Sequence, residues 1–290
     1  MRHRDHIGFV IASVVVACAA EAGAQCRVDG DVIRVPRLSE ASGITASRRV
    51  PDRLWAINDS GEPVIYALSS KGMVAGEIRL TGAKVEDWEA VAVGPCPDGS
   101  CLYVGDIGDN GARRARITIY RVPEPADANG GSARSDVFFA TYPDGPQDAE
   151  AMLTGPDGRL YVVTKGETGA VALYRFPREL EPGSSVQLER VGKPRGTTAS
   201  TRRDRITDAA ASPDGNWIVL RTSRSLTFHR TKELIGGNWK PAQVVDLAQL
   251  HEPQGEGVTF AADNSIVVAG EGGGKSAAGT LARLSCTSLR

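Results

Sequence analysis

Three glutamates stand at the same point of a recurring phrase: Glu89 in Trp88-Glu89-Ala90-Val91, Glu150 in Ala149-Glu150-Ala151-Met152, and Glu256 in Gly255-Glu256-Gly257-Val258. Two further openings, Ala41-Ser42-Gly43-Ile44 and Thr207-Asp208-Ala209-Ala210, bring Ser42 and Asp208 to or near that point. Carboxylates gathered in one place repel unless they are protonated or share a cation. Oxygen donors alone suit a hard ion, and Ca²⁺ takes six to eight of them. Glu89, Glu150, Glu256, Ser42 and Asp208 are therefore the candidate ligands of calcium or another divalent cation. Spacing refines the set: Glu150 and Glu256 stand seven residues before Asp157 and Asp263, and Glu89 stands nine before Asp98, across a cysteine-bearing insertion. Asp208 stands only six before Asp214, so strict register places Thr207 in the ring and turns Asp208 to the other face. One such glutamate would be an ordinary turn-capping residue at a strand start. Recurrence in register is what points to a site.

Other chemistries find less support. Two of the four histidines lie in the first six residues, and neither His229 nor His251 falls in an opening, which argues against a zinc centre. His229 alternates with apolar neighbours as a strand residue does, and His251 belongs to a loop. No Ser-His-Asp order with a nucleophile elbow occurs. Ala269 to Ser276 matches a permissive phosphate-loop pattern with Ala in place of the first Gly, but it lacks the parallel strand-helix context that the pattern needs. It reads as a surface hairpin at the mouth of the site.

The elements that position these residues repeat as well. Each opening runs into an apolar stretch, then usually a Pro-Asp-Gly-like turn, then a second strand such as Leu102-Tyr103-Val104 or Leu160-Tyr161-Val162. Strand, tight turn, strand, at roughly 45 to 60 residues, is the pattern of propeller blades. Counting strands predicts an all-β chain, a β-propeller of five four-stranded blades, or six if an insertion hides a degenerate blade. The last blade has only Gly257–Phe260, Ile266–Ala269 and Leu281–Ser285, so Val32–Val35 near the N-terminus is expected to complete it. Val186–Val191 is expected as the outer strand of the third blade, and Pro123–Arg134 as a flexible insertion. A blade's first strand begins at the end of the ring where its antiparallel second strand finishes. The face of the openings thus also receives Asn58-Asp59, Asp106 with Asp109, Lys165 with Glu167, Arg221 with Ser223, and Glu271.

Residues 1–24 read as a secretory signal: Arg2 and Arg4, an apolar run from Ile7 to Ala20, and the small-x-small pattern Ala22-Gly23-Ala24. The run is too short to span a membrane. A rival pattern, Val15-Val16-Ala17-Cys18, would lipidate Cys18 and anchor the protein. Secretion or a periplasmic location is expected, with the lipoprotein as the alternative, and residues 25–290 form one domain. Either cleavage leaves four cysteines. Cys96 and Cys101 flank a hairpin turn that brings them opposite one another, leaving Cys26 to meet Cys286 and join the two ends of the ring. The formal net charge of -1, from 34 basic and 35 acidic residues, gives no footprint for nucleic acid. Arg113-Arg114 with Arg116 and Arg202-Arg203 with Arg205 read as solvated loop residues.

The stretch Asp87-Trp88-Glu89-Ala90-Val91-Ala92-Val93-Gly94-Pro95, with Leu102-Tyr103-Val104-Gly105-Asp106-Ile107-Gly108-Asp109-Asn110 and Tyr120-Arg121-Val122-Pro123, resembles a widespread group of exported bacterial β-propeller proteins. Asp148-Ala149-Glu150-Ala151 and Gln254-Gly255-Glu256 extend the resemblance over nearly the whole mature chain. More distantly, the Glu-small-apolar openings resemble phytase-like propellers and calcium-dependent apyrases, which implies Ca²⁺ at Glu89, Glu150 and Glu256 together with Ser42. No basic phosphate-binding constellation of those enzymes can be matched residue by residue.

Two functions of different class follow. In the first, a cation braces the ring while the carboxylate-rich face binds a small-molecule, glycan or envelope-protein ligand, the chain being a monomer. In the second, the cation activates water against a phosphoester or lactone, with Asp106 or Asp109 as base and Arg113 or Lys165 as electrophilic partner. The binding function is preferred, because a fold and a metal do not by themselves establish a reaction.

Overall fold

A computed structural model describes residues 26–289, apart from 98, 128–130, 197, 200, 275 and 288. The expected signal at 1–24, with Cys18, lies outside the described residues. Among those described, the chain is five sheets, antiparallel except for one parallel edge strand in each of two, with one short α-helix, Thr231–Ile235. The innermost strands are Ala41–Ala46, Trp88–Cys96, Ala149–Thr154, Ile206–Ala211 and Gln254–Phe260. Each packs against the one before and the one after, and the fifth packs against the first. The ring is closed, and the five-bladed β-propeller is the fold.

Alternation explains how the blades adhere. Strand side chains point to opposite faces in turn, and a blade has a neighbour on each face, so its inner strands must be apolar throughout. Leu54 and Ala56 face the last blade, while Trp55 and Ile57 face the second. The buried residues divide into five clusters, one in each seam between blades. Glycine serves where innermost strands come closest: a Cβ on Gly43 would lie 2.8 Å from the Val91 nitrogen, and one on Gly257 2.9 Å from Ile44 Cγ2. Three of the inner hairpin turns share one device, in which Asp157, Asp214 and Asp263 each accept a hydrogen bond from the backbone nitrogen two residues on.

Ring closure follows the expectation and extends it. Ile33–Val35 pairs with Gly279–Cys286 of the last blade, and so does a further strand, Cys26–Val28. Cys26 is bonded to Cys286, and Cys96 to Cys101. Both disulfides suit an oxidising compartment. No helix among the described residues is long and apolar enough to cross a membrane.

Two expectations about outer strands are corrected. The segment expected as one strand, Val186–Val191, is two: Ser185–Gln187 runs parallel to Asp136–Thr141 of the second blade, and Glu189–Val191 stays in the third. The expected flexible insertion contains Gly131–Arg134, which runs parallel to Val74–Thr81 of the first blade. Both occupy edges that would otherwise present unpaired backbone groups, which no side-chain pattern records.

Candidate functional site

The ring positions are set by a backbone irregularity that every blade repeats. In each innermost hairpin the register slips by one residue near the start of the first strand, between Ala41/Gly43, Trp88/Ala90, Ala149/Ala151, Ile206/Asp208 and Gly255/Gly257. The extra residues are Ser42, Glu89, Glu150, Thr207 and Glu256. A bulge re-aims its side chain out of the ladder. Thr207, not Asp208, therefore occupies the fourth position.

The two hydroxyls behave alike. Ser42 Oγ donates to the Trp88 carbonyl at 2.8 Å, and Thr207 Oγ1 to the Glu256 carbonyl at 2.9 Å, each tying its blade to the next opening. Asp208 faces the seam, where its two oxygens accept from the Ala209 and Val258 nitrogens, both at 2.8 Å. Burial pushes its pKa well up against the pull of those N–H groups. It fastens the fourth blade to the fifth and is not part of the ring.

The three glutamates share one electrostatic field. Burial, then Glu150, Asp87 and Glu256, pushes the Glu89 carboxyl well above the usual range. Glu89 has no hydrogen-bond partner among the described residues. Burial and Glu150 also push Glu256 well up, with some relief from Gln254. Glu150 is raised by burial to about 7 even though Lys165 pulls it down.

Lys165 is the counter-ion within the ring. Its ammonium is bonded to Glu150 Oε1 and to Asn110 Oδ1 at 3.1 Å, with Asp148 Oδ2 at 3.6 Å and Glu167 Oε2 at 3.7 Å. Burial lowers its pKa, and Glu150, Asp148 and Glu89 more than offset that, leaving it raised. The strand Leu160–Thr164 delivers Lys165 to this place. Its backbone nitrogen bonds the Asp148 carbonyl and its carbonyl accepts from Ile206 of the next blade. Asp59 is placed alike, between Glu40 and Trp88. A basic residue in an exit position among acids was the available signal for this role.

The remaining catalytic candidates lie at the end of Gly99–Asp106 and in the loop that follows it. Asp106 accepts from the Glu86 and Asp87 nitrogens at 3.0 and 3.3 Å and from Arg114 Nη1 at 2.7 Å. Asp109 accepts from the Arg114 nitrogen at 2.6 Å, and its own nitrogen donates to Asp148. Arg113 is exposed, and its neighbour Arg114 turns inward instead. These residues brace the loop between strands of the second blade. Arg221, expected at the open face, is fully buried: it donates to the Gly257 and Ala269 carbonyls and pairs with Glu252 at 2.5 Å. An arginine directly after the apolar run Trp217-Ile218-Val219-Leu220, within the same strand, was the sequence mark of such a pair.

Above Glu150, Thr207 and Glu256 the channel widens into a cavity of about 690 Å³. Arg202, Arg203, Arg205 and Arg224 stand along it together with His251. Another cavity, of about 670 Å³, lies at the other end of the innermost strands, lined by residues such as Met152, Leu153 and Phe260. Among the described residues no three His, Cys, Asp or Glu side chains form a metal-binding group in the arrangement adopted, with Lys165 lying against Glu150.

No family model matches this sequence, and no curated protein matches it significantly. Solved structures do resemble it. The PQQ-bound form of an aldose sugar dehydrogenase from Streptomyces coelicolor superposes with a TM-score of 0.56 at 12% identity, covering 92% of this chain and 99% of that one. A luciferin-regenerating enzyme gives 0.51 at 12% identity, covering 88% and 94%. A putative oxidoreductase (glucose dehydrogenase) from Thermus thermophilus gives 0.50 at 14% identity, covering 91% and 100%. Likeness at these identities concerns the propeller fold alone.

Proposed function

We propose that the protein is an exported ligand-binding propeller that holds a divalent cation, calcium by its donor chemistry, in the ring of Glu89, Glu150 and Glu256, and takes its ligand at the adjoining mouth. The observation that carries this reading is Glu89, a carboxyl in the channel with no hydrogen-bond partner among the described residues and two further glutamates raising its pKa. A proton or a cation relieves such crowding of like charges. The donor set fits calcium: three carboxyls, with the Ser42 and Thr207 hydroxyl oxygens at the same register, are all hard ligands. Lys165 meets only one of the three closely, through Glu150. Bound there, the ion would neutralise the ring and offer a positive centre to a ligand's oxygens.

Metal content and calcium-dependent melting of the purified protein test the reading, with Glu89→Gln, Glu150→Gln and Glu256→Gln compared. A site saturated a hundredfold above its Kd stabilises the native state by about 2.7 kcal/mol. The wild type should gain such a shift and the variants lose it. Equal metal content and melting in all four proteins, with no response to calcium, would overturn the proposal.

A further inference from the structure

We propose that the arginines on the fourth-blade side of the mouth form a binding site for a small ligand bearing oxyanions, either carboxylate or phosphate. This deepens the reading above, taking the same mouth as the ligand site and assigning Glu256 to the ring's cation.

Pairing around the cavity leaves a surplus of one sign. Glu150 holds Lys165, Glu167 holds Arg205 at 2.6 Å, and Glu252 holds the buried Arg221. Asp204, between the arginines in sequence, directs one carboxylate oxygen at the nitrogen and hydroxyl of Thr201. Arg202, Arg203 and Arg224 remain, with no side-chain ion pair or hydrogen bond among the described residues, and all three line the same cavity. Their backbones are fixed while their side chains reach out. Arg202 and Arg203 ride on a 3₁₀ turn closed by a reciprocal Thr201–Asp204 capping box. The Arg224 nitrogen donates to Thr222 Oγ1, and its carbonyl accepts from Leu247.

Guanidinium groups present planar forks of N–H donors matched to carboxylate and phosphate, and such charge-assisted bonds are about twice as strong as neutral ones. A volume of about 690 Å³ also lies within the ordinary range for small-molecule sites. One blade thus supplies anion-binding groups beside a ring that takes a cation, and the two halves can be tested apart.

The test is titration calorimetry of the whole mature protein with inorganic phosphate, citrate and digalacturonate, with maltose as the neutral control, in EDTA and again in calcium. At least one oxyanion should bind in a salt-sensitive way. The variant R202Q/R203Q/R224Q should weaken it by about tenfold or more at unchanged melting temperature, because the three side chains are exposed. Preference for phosphate or for digalacturonate identifies which oxyanion the wall takes. Absence of binding by all three oxyanions under both conditions, or equal affinity in the triple variant, overturns the proposal. Failure of the cation reading appears separately, as unchanged calcium content in the Glu→Gln variants, and does not alter binding measured in EDTA.

Discussion

Replacing Lys165 with methionine removes the ring's own cation while keeping the length of the side chain. In the native protein that ammonium lies against Glu150 and within 3.1–3.7 Å of oxygens from Asn110, Asp148 and Glu167, with its side chain only 11% exposed. Removing one partner of a buried pair costs about 3–5 kcal/mol, because the charge left behind is neither solvated nor matched. The sign with pH follows from Glu150, whose pKa rises from 4.5 in the unfolded chain to about 7 in the folded one. Protonation of Glu150 is therefore favoured by folding, and the ion pair with Lys165 exists in full only above about pH 7. Near pH 8 the variant should lose the full 3–5 kcal/mol, whereas near pH 5 Glu150 is neutral in both proteins and the loss should be smaller, confined to the contacts of the ammonium with Asn110, Asp148 and Glu167. Urea denaturation in EDTA at the two pH values measures both losses. Calcium should restore part of the loss at the higher pH. Equal losses at the two pH values, or a loss below about 1 kcal/mol near pH 8, would refute the assignment of Lys165 as the ring's counter-ion.

Other parts of the fold lend themselves to direct measurement. His229 is buried, and desolvation lowers its pKa from 6.5 to about 4, so stability should fall as pH drops through that window by roughly 3 kcal/mol; acid denaturation of His229→Leu should lack that slope. Arg221→Met should cost about 3–5 kcal/mol by stranding Glu252, and Arg221→Lys should recover little, since the guanidinium serves two carbonyls and a carboxylate together; guanidinium unfolding decides. Losing the Cys26–Cys286 bridge, with its sequence separation of 260, should cost about 5.6 kcal/mol in the chain-entropy model, against about 2 kcal/mol for Cys96–Cys101, separated by 5; melting of the two double-serine variants compares them.

The blades were legible because each had to be apolar on both faces, and that demand writes itself into runs such as Leu160-Tyr161-Val162 and Trp217-Ile218-Val219. Thr207's place in the ring could be read from its distance to the turn residue Asp214, since a fixed bulge and a fixed hairpin leave a fixed count between them. Gly131–Arg134 and Ser185–Gln187 were not legible as added edges, because they are held largely by backbone pairing and only Ala133 and Val186 of their side chains pack inward. Lys165 was visible as a residue but not as a partner: its role depends on Asn110, Asp148 and Glu150, which only the closing of the ring brings to it. The basic cluster Arg202-Arg203-Arg205 looked solvated for a similar reason, since sequence does not show that Arg224 joins it at the cavity.

The closing blade has a consequence for how the molecule is made. Its outer strands come from Cys26–Val28 and Ile33–Val35, and the strand they join, Gly279–Cys286, is the last among the described residues. Four blades can form in order as the chain emerges, yet the first and last seams stay open until these distant ends meet, a contact of nearly maximal loop length. A chain halted before residue 279 would leave an exposed sheet edge and an unpaired Cys26, both of which a protease or a foreign strand can recognise. The last seam thus waits on two segments far apart in sequence, and the Cys26–Cys286 bond locks it once they meet.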